Sequence, residues 1–251
     1  MLKRRIIPIE LLSDGRLVKT RRFADARDVG DPVQSSKVYS DQDADELMLI
    51  QIDRRARKID VLVDVVSSVA ENCFVPLTAG GGISRTEDAS RLFEAGADKV
   101  VLNSAVFRDP ELVSEIAEIF GRQAIVVSID VIVDGGNYTL YSDCGRRREF
   151  VSLEQHVATA IAAGAGELMI QSIDRDGVME GYDLELLRRV IHESSVPIIA
   201  ASGAGNFLHL KQAIDIGADA VACGSLFNFG DNNPLRARAF LKNFGIPLKR
   251  V

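Results

Sequence analysis

The chain repeats itself at a spacing of 121 residues, and this repeat constrains the fold more than any other feature. Three pairs of segments, each written as first and second copy, share that spacing: VPLTAGGGI (75–83) and VPIIAASGA (196–204), GADKVVLNSAVF (96–107) and GADAVACGSLF (217–227), and ADELMLIQIDR (44–54) and AGELMIQSIDR (165–175). Repeats of this length usually mark repeated structural units. We therefore expect two similar halves, about 1–121 and 122–251.

Short β-branched runs alternate with helical patterns along the whole chain. Eight candidate strands begin near the following residues: Arg5, Glu46, Val75, Lys99, Ala124, Glu167, Val196 and Ala220. Between them, stretches such as 61–73, 85–96 and 183–194 place apolar residues three and four apart, the spacing of a helix. Eight such units without a linker predict an α/β fold, a single (β/α)8 TIM barrel built from two similar half-barrels. A doubly wound open sheet is the alternative.

Composition narrows the classes of partner. With 251 residues, 47% hydrophobic residues and a net charge of -6, the chain can form a large core but lacks the basic surface that nucleic acids select. Cys73, Cys144 and Cys223 lack zinc-site spacing and fit a reducing compartment. We find no apolar run of about 18 residues and no signal peptide. We expect a cytoplasmic protein without a metal or other cofactor.

Two glycine-rich loops follow candidate strands at equivalent places in the repeat. Glycine lets backbone amides approach an anion closely, and a following helix N-terminus favours negative charge. We predict that both loops bind phosphate, together with small polar residues of the next unit, through these residues: Gly81, Gly82, Asn103 and Ser104 in the first half, and Ser202, Gly203, Gly205 and Ser225 in the second. A ligand filling both sites would be a bisphosphate. The alternative is that the glycines only form turns.

Two aspartates are the candidate catalytic groups. Asp130 ends the apolar strand AIVVSID (124–130), and Asp176 lies in the loop SIDRDG (172–177). A carboxylate at the carboxyl end of a barrel strand suits acid/base work, and burial would raise its pKa towards neutrality. The alternative is that each aspartate caps or anchors a turn.

The first strand lacks the matching acid. Aligning IIPIELL with IVVSIDV places Leu11 over Asp130, at a spacing of 119 residues. Glu10 is adjacent, but strand alternation points it to the opposite face. On the second strand, Gln51 stands where another acid is expected. Whether Glu10, Asp14 or Asp53 replaces the missing group stays open at this point.

With these motifs in place, the chain resembles the cyclase subunit of imidazole glycerol phosphate synthase. The resemblance covers nearly the whole chain, through RRIIP, DGRLVK, GDP, PLTAGGGI, ADKVVLNSA, SIDRDG, GYDLEL, SGAGN and GSLF. It implies a (β/α)8 barrel in a heterodimer with a glutamine amidotransferase. Ammonia from that partner would enter at the bottom of the barrel and attack a phosphorylated small-molecule substrate at the top, in a lyase reaction.

The resemblance also implies an ammonia gate and a docking surface at the bottom. The gate is a ring of alternating charges that this sequence keeps: Arg5, Glu46, Lys99 and Glu167. Considered singly, each is an ordinary solvated charge at the rim. Asp98 matches an acid that faces the partner subunit in the family.

At the top, the sequence departs from the family. Family members carry a catalytic Asp at Leu11 and usually another at Gln51, and Ser202 occupies a usual glycine position. A side-branch associated with acetamidino modification of surface sugars shows this pattern. Our preferred interpretation is therefore a barrel that delivers ammonia for sugar amidation. The alternatives are a genuine cyclase of histidine biosynthesis, and a non-catalytic barrel that activates the glutaminase.

Overall fold

A computed structural model of the chain describes residues 3–53 and 59–248, so Arg54, which ends one repeated segment, lies outside the described residues. The strands are β1 (Arg5–Ser13), β2 (Arg16–Arg21), β3 (Ala24–Gly30), β4 (Leu47–Gln51), β5 (Leu77–Gly80), β6 (Lys99–Leu102), β7 (Ile125–Asp134), β8 (Asn137–Ser142), β9 (Arg147–Arg148), β10 (Glu167–Ser172), β11 (Ile198–Ala201) and β12 (Ala220–Cys223). The helices are α1 (Pro32–Asp41), α2 (Ile59–Ala70), α3 (Thr86–Glu94), α4 (Ser104–Arg108), α5 (Glu111–Phe120), α6 (Leu153–Ala163), α7 (Leu184–Glu193), α8 (Phe207–Asp215), α9 (Ser225–Asn228) and α10 (Pro234–Asn243).

Eight of these strands close into a parallel ring. They pair in the order β1, β4, β5, β6, β7, β10, β11 and β12, and β12 pairs with β1 again. The pairing of β7 with β10 joins the two halves, and the bridge between Arg4 and Leu248 ties together the ends of the described chain. The fold is thus a single (β/α)8 barrel, which confirms the prediction and excludes the open sheet. Four barrel strands precede residue 121 and four follow it; the exact division into half-barrels stays a prediction.

Strand alternation separates two apolar layers. Side chains that point into the barrel form a small inner cluster: Ile7, Ile9, Met48, Val101, Val126, Met169, Ile199, Ala201, Ala220 and Ala222. The alternate positions, such as Ile6 and Leu49, pack against the helices in a much larger outer cluster. Because each barrel strand is covered on both faces, it reads as a nearly continuous apolar run.

Two hairpins extend the barrel wall at its carboxyl end, and the sequence patterns did not predict them. Strand β1 turns at Asp14 and Gly15, with φ of 47° and 72°, into antiparallel β2 and β3. Strand β7 continues in the same way into β8 and β9. Strand β3 is mostly exposed and reads ADARDVG, so it lacks the apolar alternation that signals a half-buried strand.

Candidate functional site

A cavity opens at the carboxyl ends of the barrel strands. It encloses about 1280 Å³, including the solvent at its opening. Its described wall includes Asp130, Asp176 and Leu11, and it also includes most of the predicted phosphate-binding residues, namely Gly81, Gly82, Asn103, Ser104, Ser202, Gly203 and Ser225. The fold therefore brings both glycine loops and both candidate acids to one site, where (β/α)8 enzymes carry their chemistry.

Asp130 lines this cavity and is 5% exposed. Its Oδ1 accepts hydrogen bonds from Ser128 Oγ at 2.9 Å and from Gln171 Nε2 at 3.1 Å. Burial raises the pKa of Asp130 to about 7, although these two hydrogen bonds act in the opposite direction. A carboxyl group with this pKa can both accept and donate a proton near neutral pH.

Leu11 projects into the cavity from β1, whereas Glu10 does not line it. Glu10 is fully buried on the outer face of the strand, where Ser36 Oγ of α1 donates to its Oε2 at 2.8 Å. Burial raises the pKa of Glu10. The prediction from strand alternation is thus confirmed: Glu10 and Leu11 lie on opposite faces of β1, and the Glu10 side chain points away from the cavity.

Asp53 and Asp14 lie together at the turn that follows β1. Asp53 accepts hydrogen bonds from Ser13 Oγ at 2.6 Å and from the Asp14 backbone N–H at 3.0 Å, so it anchors the turn after β1. The described cavity wall contains neither aspartate. Gln51 does line the cavity, as an uncharged amide.

Asp176 borders the cavity and also holds the first hairpin in place. Its Oδ2 accepts hydrogen bonds from Thr20 Oγ1 at 2.7 Å and from the Phe23 backbone N–H at 3.1 Å. Its own carbonyl oxygen accepts from Arg22 N at 2.9 Å. Burial raises the pKa of Asp176. The sequence reading named turn anchoring as the alternative to catalysis, and the geometry gives Asp176 that anchoring contact whatever its chemical role.

Lys19 is the charged group that the sequence reading missed. It reaches the cavity from β2, is 5% exposed, and donates from Nζ to the Ile9 carbonyl oxygen at 2.9 Å. Burial lowers the pKa of Lys19 to about 8, against the attraction of nearby Glu10 and Asp176. The residue lies within the quoted DGRLVK motif, but only the hairpin fold shows that it lines the same cavity as Asp130.

The first glycine loop follows β5. Gly81 and Gly82 have φ of 93° and 90°, and a Cβ on Gly81 would lie 2.1 Å from the Gln51 carbonyl oxygen. Asn103 Nδ2 donates to the Ser128 carbonyl oxygen at 3.0 Å, and Ser104 Oγ accepts from the Asp143 backbone N–H at 2.9 Å. These glycines are required by backbone geometry, and the same geometry leaves the loop open to the cavity.

The second loop follows β11 and differs in one position. Ser202 has φ of 68°, a left-handed conformation that favours glycine. A Cβ on Gly203 would lie 2.3 Å from the Gly181 carbonyl oxygen. The Gly205 N–H donates to His209 Nδ1 at 3.1 Å, and Gly205 is not among the residues of the cavity wall. Of the predicted second-site residues, Ser202, Gly203 and Ser225 face the cavity.

Four charged residues meet at the opposite, amino-terminal end of the strands. Arg5 contacts Glu46 at 2.8 Å and Glu167 at 2.6 Å, and Lys99 contacts the same two carboxylates at 2.9 and 2.8 Å. Thr78 Oγ1 adds a hydrogen bond to Glu46 at 2.6 Å. The predicted residues thus form a closed ring of alternating charge.

The ring is partly buried and electrostatically balanced. Its side chains are between 3% and 17% exposed. Burial alone would raise the pKa of Glu167, but Arg5 and Lys99 outweigh it and hold that pKa below its usual range. Burial disfavours the charge of Arg5 as well, yet both carboxylates together raise the Arg5 pKa. The four side chains therefore neutralise one another at the bottom of the barrel.

Asp98 lies on the exposed bottom rim beside this ring. Its Oδ2 accepts from the Leu77 backbone N–H at 2.8 Å. Its counterpart in the second half, Asp219, accepts from Ile198 N at 3.0 Å and is also paired with Arg4. The two equivalent aspartates therefore share a structural contact but differ in their charged surroundings.

Two further properties bear on function. Within residues 3–53 and 59–248, no three His, Cys, Asp or Glu side chains are grouped closely enough to hold a metal ion. In the same part of the chain, no helix combines the length and apolar character needed to cross a membrane.

A family model described as "Histidine biosynthesis protein" matches residues 5–233. The chain belongs to this family. Three similar proteins are each named imidazole glycerol phosphate synthase subunit HisF. The protein from Streptomyces coelicolor is 41% identical over 246 residues, which are 98% of both chains. That from Exiguobacterium sibiricum is 40% identical over 249 residues, 99% of this chain and 100% of its own. That from Hyphomonas neptunium is 41% identical over 252 residues and all of both chains.

These relatives place the chain in the cyclase-subunit family of imidazole glycerol phosphate synthase, as the resemblance predicted. Their names agree with the alternative interpretation, a cyclase of histidine biosynthesis, better than with the preferred one. The comparisons give no support to sugar amidation or to the side-branch.

Proposed function

We propose that this protein is the ammonia-using subunit of an imidazole glycerol phosphate synthase. Its relatives carry that name over essentially their whole length. The observation that supports the proposal best is the position of Asp130, a buried carboxyl with a pKa of about 7, in a cavity that both glycine loops border. This interpretation replaces sugar amidation as the first choice.

In this proposal, a bisphosphate substrate lies across the cavity with one phosphate at each loop. The first phosphate is bound near Gly82 and Ser104, and the second near Gly203 and Ser225. Backbone amides and the following helix N-termini supply the partial positive charge. Lys19 adds the charge of its ammonium group, because its pKa of about 8 leaves it mostly protonated at neutral pH.

Ammonia would reach the cavity from below. The apolar inner cluster lies between the charged ring and Asp130, so a small uncharged molecule can pass more easily than an ion. The ring must open for this, since Arg5 and Lys99 each bridge both carboxylates. A glutamine amidotransferase docked against the bottom face, with a cation opposite Asp98, would supply the ammonia.

The chemical step needs a group that moves protons. As the nitrogen of ammonia bonds to an electrophilic carbon of the acceptor, it must lose a proton. The Asp130 carboxylate takes that proton, and the resulting acid can later protonate a leaving group. With Leu11 opposite, Asp130 performs both roles alone.

The test is direct. Purified protein is mixed with an ammonium salt and the bisphosphate nucleotide intermediate of histidine biosynthesis, and imidazole glycerol phosphate is measured. We expect product from the unaltered protein and about 10²–10⁴-fold slower formation from Asp130→Asn, the usual contribution of acid/base catalysis. Absence of product from well-folded protein would reject the cyclase proposal.

A second function, ammonia transfer to an N-acetyl sugar, is favoured by one observation. Leu11 lines the cavity opposite Asp130 in place of a second acid, and no described acid takes over its position. If the cyclase test gives no product, the same assay with sugar-nucleotide acceptors tests this function. A barrel that only activates its glutaminase would yield no barrel-dependent product with either acceptor, yet would still stimulate the partner after Asp130→Asn.

A further inference from the structure

A hydrogen-bonded chain of side chains runs from Asp130 to the second glycine loop. Gln171 is its central member. The Gln171 Nε2 group donates to Asp130 Oδ1 and to Ser128 Oγ, both at 3.1 Å, and its Oε1 accepts from Ser202 Oγ at 3.5 Å. The strand register explains why they meet, since Gln171 lies beside Asp130 of β7 and beside Ala201 of β11.

The equivalent positions of the first half carry no such chain. The repeat places these four residues at positions held in the first half by Ile9, Leu11, Ile50 and Gly81. Register agrees, because Leu11 lies beside Ile50 as Asp130 lies beside Gln171. All four polar side chains are therefore replaced by an apolar side chain or by none.

At Ser202, this row of hydrogen-bonded side chains exists in spite of backbone strain. Ser202 has a left-handed backbone, which is strained for every residue with a Cβ, and its counterpart Gly81 has the residue type that avoids this strain. What serine adds over glycine is a hydroxyl group, and that hydroxyl donates to Gln171.

We propose that Gln171 is a positioning residue that orients the Asp130 carboxylate and connects it, through Ser202, to a phosphate group held by the second glycine loop. Binding of phosphate at that loop then changes the hydrogen bonds of the Gln171 amide. This in turn changes the hydrogen bonding of the Asp130 carboxylate. This inference deepens the proposed function and rests on its placement of catalysis at Asp130.

The connection follows from the limited bonding capacity of the amide. The orientation that points Nε2 of Gln171 at Asp130 leaves its Oε1 facing Ser202. One side chain therefore contacts both the candidate acid and the second glycine loop. A phosphate accepting a hydrogen bond from the Ser202 hydroxyl withdraws that donor from Gln171. Asp176, after β10, is the charged group that acts on Asp130, and Lys19 of β2 acts on Asp176; both stay unchanged in the variants below.

The first experiment measures Asp130 without requiring turnover. The protein is labelled with ¹³C at aspartate side chains, Asp130 is assigned with Asp130→Asn, and its carboxyl signal is titrated with pH. We expect Gln171→Met to raise the pKa of Asp130 by about one unit, because a hydrogen bond to the charged form is lost. Ser202→Gly should shift it less, in the same direction, and should raise Tm.

Asp43→Gly is the matched control. Asp43 also has a left-handed backbone, with φ of 58°, but it lies outside the cavity wall. It should raise Tm and leave the Asp130 titration unchanged. If Asp130 titrates identically in the unaltered protein, Gln171→Met and Ser202→Gly, all with native spectra, the positioning role is overturned.

The second experiment tests the connection with inorganic phosphate as the probe. Phosphate should shift the side-chain amide signals of Gln171 in the unaltered protein, and Ser202→Gly should reduce that shift at least twofold. Equal shifts in both proteins would overturn the link through Ser202. No shift in the unaltered protein would overturn the link as well, and would also remove the second phosphate site from the proposed function, while the cyclase assay judges catalysis separately.

Discussion

The two halves of the barrel agree at the bottom and differ at the top. At the bottom, Glu46 and Glu167 occupy equivalent positions, and both bind Arg5 and Lys99. At the top, Asp130 faces the cavity in the second half, whereas Leu11 does so in the first. The difference teaches that the repeat preserves the fold and the charged ring at its bottom, while equivalent cavity positions carry Leu in one half and Asp in the other.

The largest effect is expected where the halves differ most. Asp130→Asn removes a buried carboxyl that lines the cavity and whose pKa burial raises to about 7. We expect product formation with ammonium salts to fall about 10²–10⁴-fold, because acid/base catalysis typically contributes that much. Steady-state kinetics measures it. Asp134→Asn, on the exposed end of the same strand, is the control and should stay active; equal activity of both variants would show that Asp130 is not catalytic.

The same carboxyl gives a pH dependence of stability. The pKa of Asp130 is raised to about 7 in the folded chain, so folding favours the protonated form. Its contribution is therefore fully present below about pH 4, the usual pKa of an unfolded Asp, and is lost as pH rises through 7. Urea unfolding between pH 5 and 8 should show a decline that is smaller in Asp130→Asn. An unchanged slope would contradict the raised pKa.

The next effect concerns the charged ring at the bottom of the barrel, where the two halves agree. Glu46→Gln leaves Arg5 and Lys99 sharing one carboxylate in a largely buried ring. We expect a loss of about 3 kcal/mol in the free energy of unfolding, since removing one partner strands a buried charge. Urea denaturation measures it, with the exposed Glu185→Gln of α7 as the control. A loss of stability no larger than that of the control would mean that water solvates the cations left with one carboxylate.

The sequence predicted the barrel well because the barrel depends on local periodicity. All eight strand starts lie within two residues of their expected positions, for example Leu77 for Val75 and Ile198 for Val196. Alternation also placed Glu10 and Leu11 on opposite faces, as the contact of Glu10 with Ser36 confirms. These are properties that neighbouring residues determine together.

The sequence could not predict the interactions that depend on tertiary convergence. Lys19 reaches the cavity only because an unpredicted hairpin folds over the mouth. Gln171 meets Asp130 only through the register of β7 and β10. The hydrogen bond from Thr20 to Asp176 likewise joins residues that are 156 positions apart in the sequence. No local pattern marks any of these contacts.

Giving both halves an Asp at the equivalent cavity position should have a moderate effect on the rate with ammonium salts. Leu11→Asp places a second carboxyl opposite Asp130, where the first half now presents an apolar wall. If the protein is a cyclase working with a single acid, we expect its rate with ammonium salts to change by less than about 100-fold, the lower limit of a typical acid/base contribution. If the protein is instead a sugar-amidating barrel, the variant should gain cyclase activity that the unaltered chain lacks. Leu11→Asn, similar in size but without charge, separates the effect of the charge from that of polarity.

The smallest effect is expected at Lys19, a buried cation in the cavity wall. Its pKa is lowered to about 8 by burial, whereas an unfolded lysine titrates near 10.5, so the charged form is disfavoured in the folded chain. The unfolded chain binds more protons between these values, and stability should therefore rise as pH increases from 8 to 10. Lys19→Met should remove this rise and stabilise the protein at pH 7 by about 1 kcal/mol, while weakening the binding of inorganic phosphate. Urea unfolding and calorimetric titration measure the two effects. A Met variant that loses stability would show instead that the hydrogen bond from Lys19 to Ile9 outweighs the cost of burying the charge, and that the hairpin depends on this contact to stay closed over the site.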